Sequence, residues 1–436
     1  MKICLLSLGC KLNQSEMESL ARRFAMAGHE IVRRAEEADL CILNTCTVTH
    51  IAARKSRQVL RRLRRDNPTA FIVATGCYAQ ISPAEIAQLG DVDMIVGNAD
   101  KESLPELLAS RLPGLMSSPV GPAMAGAASP GPLAESAFRT RAFVKIQDGC
   151  DNACTYCIVT VARGAASSRP AAEVIAEVQE RVAEGYREVV LTGVHIGAFG
   201  QEREESLAGL VRRLLAETDV PRLRLSSVEP WDFSLELLAL WPNPRLCRHL
   251  HLPLQSGCEA TLTRMGRRYT TAHYREIVEA TRLAVPGIAI TTDIIVGFPG
   301  ETDAEFAASM AFVRQMEFAR LHVFTYSRRE GTAAATMPAQ VPAPVKEERG
   351  AQMRQLGGAM ARAFRASFLG ETLDVLWENI LGPGPGGTSL WRGLTDNYIT
   401  VLAASNEAPA NRILPARLQA LQEDAVWGEL LLQTDP

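Results

Sequence analysis

Three cysteines within eight residues, in the run Gly149-Cys150-Asp151-Asn152-Ala153-Cys154-Thr155-Tyr156-Cys157, are the clearest chemical signal in this 436-residue chain. Thiolates spaced C-x3-C-x2-C can hold three irons of a four-iron cluster. Such clusters ordinarily take four cysteine ligands, so one iron is left without a protein ligand. An open iron binds a small molecule through amine and carboxylate groups and can reduce it there. The alternatives are a zinc site lacking one ligand, or three unrelated buried thiols. Buried cysteine is common, but three so close together, flanked by Gly149 and Asn152, favour the cluster.

A second trio, Cys10, Cys46 and Cys77, is dispersed in sequence but equivalent in position. Each thiol lies just beyond an expected strand, at residues 3–8, 40–44 and 71–74. In a parallel sheet these ends share one edge, where such folds bind ligands. Cys4 and Cys41 fall inside strands and read as core. Burial as ordinary apolar residues is the alternative for the trio. Gly9 and Gly76, each beside a thiol, favour a second cluster, because glycine lets the backbone approach a bulky group closely.

The elements that must position these thiols divide into segments. Residues 1–111 alternate short apolar runs (also 94–96) with helical patterns at 16–27 and 52–65, which predicts an α/β domain with a parallel sheet. Residues 112–138, punctuated by proline and glycine and almost uncharged, read as a linker. From residue 139 to 367 the alternation resumes on a larger scale, with strands expected at 143–147, 188–192, 222–226, 249–253, 289–296 and 320–325. Six units predict a partial (β/α)6 barrel whose active edge is the carboxyl ends of its strands. Residues 368–436 turn β-rich, with a Gly-Pro turn at 382–387, and read as a small all-β barrel.

Composition sets outer bounds. With 47% apolar and 22% charged residues and a net charge of −3, the chain reads as globular and long enough for two or three domains. Ten cysteines in this length argue against a disulfide scaffold and for reduced thiols available to metals. No apolar run approaches the roughly 18 residues of a transmembrane helix. The start, Met1 to Cys10, looks briefly like a lipoprotein signal, but carries Lys2 and has Leu8 where a small residue belongs. It reads as a first strand, and the protein as cytoplasmic with no membrane partner.

Taken together, the motifs resemble those of the radical S-adenosylmethionine (SAM) methylthiotransferase family, over nearly the whole chain. The resemblance rests on Gly9-Cys10-Lys11-Leu12-Asn13-Gln14, Asn44-Thr45-Cys46-Thr47-Val48-Thr49 and Lys145-Ile146-Gln147-Asp148-Gly149-Cys150. It extends to the terminal segment, which is similar to the RNA-binding TRAM barrel. Within the family, these motifs look most like the branch acting on N6-threonylcarbamoyladenosine (t6A) beside the tRNA anticodon. Two departures stand out: Thr160 where the family usually has proline, and Ala165-Ala166 in place of a more basic stretch.

The resemblance implies two [4Fe-4S] clusters, on Cys150, Cys154 and Cys157 and on Cys10, Cys46 and Cys77. The first would bind SAM and cleave it to a 5′-deoxyadenosyl radical that takes hydrogen from C2 of the adenine; the second would hold the sulfur to be transferred. A second SAM would supply the methyl group, and an electron donor such as flavodoxin or ferredoxin the electrons. Tyr156, Gly193, His195, Ser226, Ser227 and Glu229 are the expected SAM-binding residues, and His251 and Gln255 should reach the barrel mouth near substrate. No catalytic residue is assigned beyond the cluster ligands. The tRNA anticodon loop would have to present an unstacked base.

Charge complicates the RNA surface. Residues 371–436 hold nine Asp and Glu against three Arg and no Lys, whereas RNA-contacting surfaces are normally basic. Residues 54–65 hold seven Lys and Arg with no acid. Arg57, Arg61 and Arg64, at i, i+4 and i+7 of a helix, are therefore expected to contact tRNA, a solvated helix face being the alternative. Arg267-Arg268 and Arg328-Arg329 add basic charge around the barrel. Rival functions are a methylthiotransferase for isopentenyladenosine tRNA or a ribosomal protein, a radical SAM enzyme of unrelated chemistry, and an iron–sulfur RNA-binding protein without turnover.

Overall fold

A computed structural model describes residues 1–112 and 140–431. The expected linker, residues 112–138, lies outside the described residues except for its first position. Near the amino terminus, β1 (Lys2–Ser7), β2 (Glu30–Val32), β3 (Leu40–Thr45), β4 (Phe71–Gly76) and β5 (Met94–Ile95) form one parallel sheet in the order β2-β1-β3-β4-β5. Parallel neighbours require crossovers, which include α1 (Lys11–Met26), α2 (His50–Asp66) and the short α3 (Cys77–Ile81). Central β3 is buried along its whole length because both faces are covered, which is why its first four residues, Leu40 to Leu43, are all apolar. Ile42 packs with Phe24 and Leu104 on one side; Cys4, Cys41 and Leu43 pack with Leu60 and Ile86 on the other. Strand β2 was not expected, since three residues are too few to show a period.

The larger unit contains β6 (Arg141–Lys145), β7 (Gln147–Asp148), β8 (Ser167–Ser168), β9 (Glu188–Thr192), β10 (Arg222–Leu225), β11 (His249–His251), β12 (Ala289–Val296) and β13 (Arg320–Thr325). Strands β6, β9, β10, β11, β12 and β13 stand side by side and all parallel, β10 and β11 joined only through single bridges. The barrel is left open between β6 and β13, and Val144, Leu191, Leu223, Leu250 and Ile290 belong to its core. The short β7 and β8 pair with each other where the chain enters and leaves the cysteine loop.

Finally, β14 (Thr372–Pro383), β15 (Ser389–Thr395), β16 (Thr400–Ser405), β17 (Ile413–Leu421) and β18 (Val426–Leu430) close into a small barrel around fully buried Trp377. Its acidity has a structural use. The barrel sits on arginines at the amino ends of the larger barrel's strands: Arg248 Nε donates to Asp396 at 2.7 Å and Arg141 Nε to Glu378 at 3.0 Å. Arg222 and Arg224 donate to the backbone carbonyls of Asp374 and Asp396, each at 2.7 Å. Part of the negative charge that looks wrong for an RNA surface is thus engaged in holding two domains together.

Candidate active site

The first thiol trio lies on the loop leaving β7. Gln147 shapes the loop, its Nε2 donating to the carbonyl of Gly149 at 2.7 Å, and Thr155 ties it to Met265 and Ala334 through backbone bonds of 3.0 and 2.8 Å. Donors point at the sulfurs. Asn152 offers its backbone N–H and its Nδ2 to Cys150 Sγ at 3.5 and 3.4 Å, and Arg267 Nη1 lies 3.5 Å from Cys154 Sγ. Burial raises the Cys150 thiol, but His195 and Asn152 outweigh it and the net direction is down. Burial pushes Cys157 up to about 12. Tyr156, between the last two thiols, packs edge-on against Phe298 with ring centres 6.3 Å apart.

The second trio meets as the topology requires, because β1, β3 and β4 are adjacent. Cys46 and Cys77 are buried and Cys10 is exposed. Burial, and then the neighbouring thiols of Cys77 and Cys10, push Cys46 up to about 11. The flanking glycines meet a packing requirement within the sheet. At Gly9 (φ +97°) a Cβ would stand 2.8 Å from Cys46 Sγ, and at Gly76 (φ +92°) a Cβ would stand 2.5 Å from the Thr45 carbonyl oxygen. They make room for the adjacent strand and its thiol, in a backbone conformation that side chains disfavour. Gly76→Ala is accordingly expected to displace Cys77 and lower the bound iron, measured by iron analysis and absorbance of anaerobically reconstituted protein.

Both trios fit an iron–sulfur cluster. The donors are thiols alone, N–H groups face the sulfurs of the first trio, and buried thiols with raised pKa need cationic compensation to ionise. Among the described residues no three metal-binding side chains come close enough to hold a single ion, whereas a cluster takes one thiolate per iron.

Three cavities surround these loops. Gly193, Ser226, Ser227 and His251 line one of about 730 Å³, together with Cys10 and Asp293. Tyr156, Cys157 and Gln255 line another of about 180 Å³, together with Val48, Thr49 and, again, Asp293. His195 is on neither wall. Its Nδ1 lies 3.9 Å from Cys150 Sγ, its Nε2 is bonded to Asp232, and it faces a third cavity of about 210 Å³. Glu229 is likewise engaged, ion-paired with Arg267, whose guanidinium stacks 4.6 Å over Trp231. Both side chains, expected to bind SAM, thus have protein partners beside the cysteine loop.

Several basic residues also have other duties. Arg57 donates to Tyr78 at 2.8 Å and pairs with Glu85, and Arg64 binds Asp93 at 2.6 Å and two backbone carbonyls. Of the expected tRNA-binding trio only Arg61 is exposed, beside exposed Arg54 and Lys55. Arg267 and Arg329 are buried, so two of the four arginines around the barrel are internal. Sequence reasoning missed Arg163, whose side chain is 3% exposed and joins Glu16 of α1 at 2.9 Å to Asp148 before the cysteine loop at 2.8 Å. A lone arginine after Val161-Ala162 carries no signal that could have shown it.

Six parallel strands leading into a three-cysteine loop define a radical SAM fold, and the Radical SAM superfamily model matches residues 144–313. The model of Uncharacterized protein family UPF0004 matches residues 2–97. The chain belongs to the radical SAM methylthiotransferase family. It is 38% identical to threonylcarbamoyladenosine tRNA methylthiotransferase MtaB of Bacillus subtilis, over 94% of this chain and 92% of that one. It is also 34% identical to tRNA-2-methylthio-N(6)-dimethylallyladenosine synthase of Moorella thermoacetica, over 98% of each. Among solved structures, the radical SAM methyltransferase TsrM of Kitasatospora setae shares the fold with a TM-score of 0.57 at 16% identity, over 77% of this chain and 75% of that one. An iron–sulfur cluster and SAM are the cofactors of this enzyme. Among the described residues no helix is long and apolar enough to cross a membrane.

Proposed function

We propose that the protein transfers a methylthio group to C2 of N6-threonylcarbamoyladenosine at position 37 of tRNA, with two [4Fe-4S] clusters, in the cytoplasm. One observation carries the reading: the two thiol trios open onto neighbouring cavities, Cys10 on one wall and Cys157 on the other, with Asp293 common to both. Relatives at 33–38% identity bear the corresponding MtaB name. When loaded, the Cys150 site supplies reductive SAM cleavage and the Cys10 site the sulfur. The protein's own contribution is placement. The strand ends at Gly193, Ser226 and Ser227 offer the cosubstrate polar groups, including Ser226 Oγ, which is buried without a protein partner. The smaller barrel closes the opposite end against water.

A second reading, dimethylallyladenosine as substrate, is favoured by the Moorella relative and by one of Sphingopyxis alaskensis at 37% identity that bears the same name. Mass spectrometry of tRNA nucleosides from a deletion strain decides between them. Loss of the methylthio form of t6A, restored by the gene, is the expected result; loss of the dimethylallyl product instead would overturn the substrate.

For tRNA binding, exposed Arg54, Lys55 and Arg61 on α2 have no ion-pair partner among the described residues and are suited to phosphate. Replacing the three by serine is expected to weaken tRNA binding and flatten its salt dependence by up to roughly one unit of slope per lost contact. Unchanged binding, with a large loss on deleting residues 368–436, would return RNA contact to the terminal barrel. A low-potential electron donor of the flavodoxin or ferredoxin kind completes the system.

A further inference from the structure

The cavity of about 730 Å³ has an asymmetric charge. Its wall carries Lys11, Arg320, Arg354, Arg365 and Arg392 against only two carboxylates, Asp293 and Asp424. Asp293 is already engaged, 3.4 Å from His251 Nε2. Arg320 and Arg354 are exposed, and Arg365 donates to the Glu423 carbonyl at 2.9 Å.

Arg392 is half-buried and also without a carboxylate partner among the described residues; Lys11 differs from it in its place beside a thiol. It is half-buried, is the first residue of α1, and directly follows Cys10, which shares the cavity wall. It has no carboxylate partner among the described residues. Its Nζ lies 5.7 Å from the ring centre of Tyr398, a residue that reaches in from the terminal barrel with φ +68°. Tyr398 is held in place: Arg141 donates to its hydroxyl at 3.1 Å, and Arg224 lies 4.2 Å over its ring. Beside it, the imidazole of His249 is 4.6 Å away centre to centre, and His249 Nδ1 is buried with no protein partner. Burial, followed by the charges of Arg224 and Lys11, drives this imidazole well below its ordinary pKa. Arg224 and Arg141 are themselves paired with Glu188 and Glu378, so the unpaired positive charge at the inner end of the cavity is that of Lys11, beside an unsatisfied polar atom and a fixed aromatic face.

We infer that Lys11 anchors the carboxylate of an amino-acid arm carried on the substrate adenine, with His249 and Tyr398 lining the arm's seat. This deepens the substrate reading above and rests on it. The threonylcarbamoyl arm ends in one carboxylate and one hydroxyl; a dimethylallyl arm offers neither. Since the residue after Cys10 is tied covalently to a thiol of the sulfur-bearing site, an arm held there places its purine next to that site. The cavity thus separates two substrates that overall identities of 38% and 34% leave close together. The lysine is a specificity-determining residue, because an apolar arm would leave its charge unpaired in a partly desolvated site.

The test compares an anticodon stem-loop RNA bearing t6A with the same RNA bearing the methyl ester of that arm. Dissociation constants are measured anaerobically on reconstituted full-length protein. The wild type is expected to bind the ester roughly 10–100-fold more weakly. Lys11→Gln should bind both forms alike, near the ester's affinity, and Lys11→Arg should recover part of the preference; iron content reports whether the adjacent thiol site is intact. A wild type indifferent to esterification overturns the inference without any variant. So does a Lys11→Gln protein that keeps the preference, or one that loses only SAM affinity. If the deletion strain shows dimethylallyladenosine as substrate, the reading and the inference fail together; t6A as substrate with no discrimination removes the inference alone.

Discussion

Replacing Cys150, Cys154 and Cys157 together by alanine is expected to abolish SAM cleavage, whereas replacing Cys10, Cys46 and Cys77 should abolish methylthiolation and leave cleavage measurable. The reason is the separation of the two sets in the fold. The first trio lies on a single loop after β7, held by Gln147, Asn152 and Thr155, none of which touches the amino-terminal sheet's thiols. The second lies at the ends of β1, β3 and β4. Each triple variant should retain roughly half of the iron of the wild type. Anaerobic assays of 5′-deoxyadenosine and of methylthiolated nucleoside, with iron analysis, check both statements. Equal loss of cleavage in the two variants would show that the sites do not act separately. A thermal scan guards the comparison, since removing two buried sulfurs from a sheet edge is expected to cost far less than the domain's stability.

Arg163→Met should produce the largest structural effect of any single substitution considered. Its guanidinium reaches Glu16 and Asn13 of α1, at 2.9 and 2.6 Å, and Asp148 at 2.8 Å, while Lys101 adds a second cation to Glu16 at 2.7 Å. Removing Arg163 leaves Glu16 to Lys101 alone at 2.7 Å and Asp148, 31% exposed, beside Lys145 at 3.6 Å. The cost is therefore that of lost charge-assisted hydrogen bonds, about 1–3 kcal/mol. The unfolding midpoint should fall by roughly 2–5 °C. Function should fall as well, because Asn13 Oδ1 also lies 3.6 Å from Cys10 Sγ, so Arg163 helps set one trio relative to the other. Misplacement of reacting groups by about 1 Å can cost roughly a hundredfold, so methylthiolation should drop more than SAM cleavage. An Arg163→Met enzyme with the wild-type ratio of the two activities would sink this role.

The same network dictates a pH response. Burial raises the Glu16 carboxyl, but Lys101 and Arg163 outweigh it and hold it at about 2, below its ordinary 4.5. A carboxylate depressed by folding contributes stability that is complete above its unfolded pKa and lost as pH falls through the folded one. The contribution should therefore fade between about pH 4.5 and 2, and in Arg163→Met it should fade at higher pH.

Much of this enzyme is legible without coordinates. The C-x3-C-x2-C spacing puts three thiols on one loop whatever surrounds it, and strand-end position placed Cys10, Cys46 and Cys77 on one edge because parallel strands run the same way. The six barrel strands and the terminal β barrel followed from periodicity and turn residues. The three-residue β2 escaped, having no period to read.

What remained hidden depends on how separately folded pieces meet. Arg163 and Asn13 are 150 positions apart and Arg329 and Thr47 are 282, so neither pair leaves a local pattern. Arg57 and Arg64 share a helical face with exposed cations, and only the neighbouring Tyr78, Glu85 and Asp93 withdraw them from solvent. Acidity in the terminal domain looked like a poor RNA surface until Arg141 and Arg248 were found opposite Glu378 and Asp396. Lys11 follows the same logic. Its place beside a thiol is written in the chain, but its lack of a carboxylate partner among the described residues, and the tyrosine beside it, arise only where α1, the open barrel and the terminal barrel close around one cavity. Ligand spacing is a local property carried by covalent connectivity, whereas pairing and desolvation of charge are set by docked surfaces.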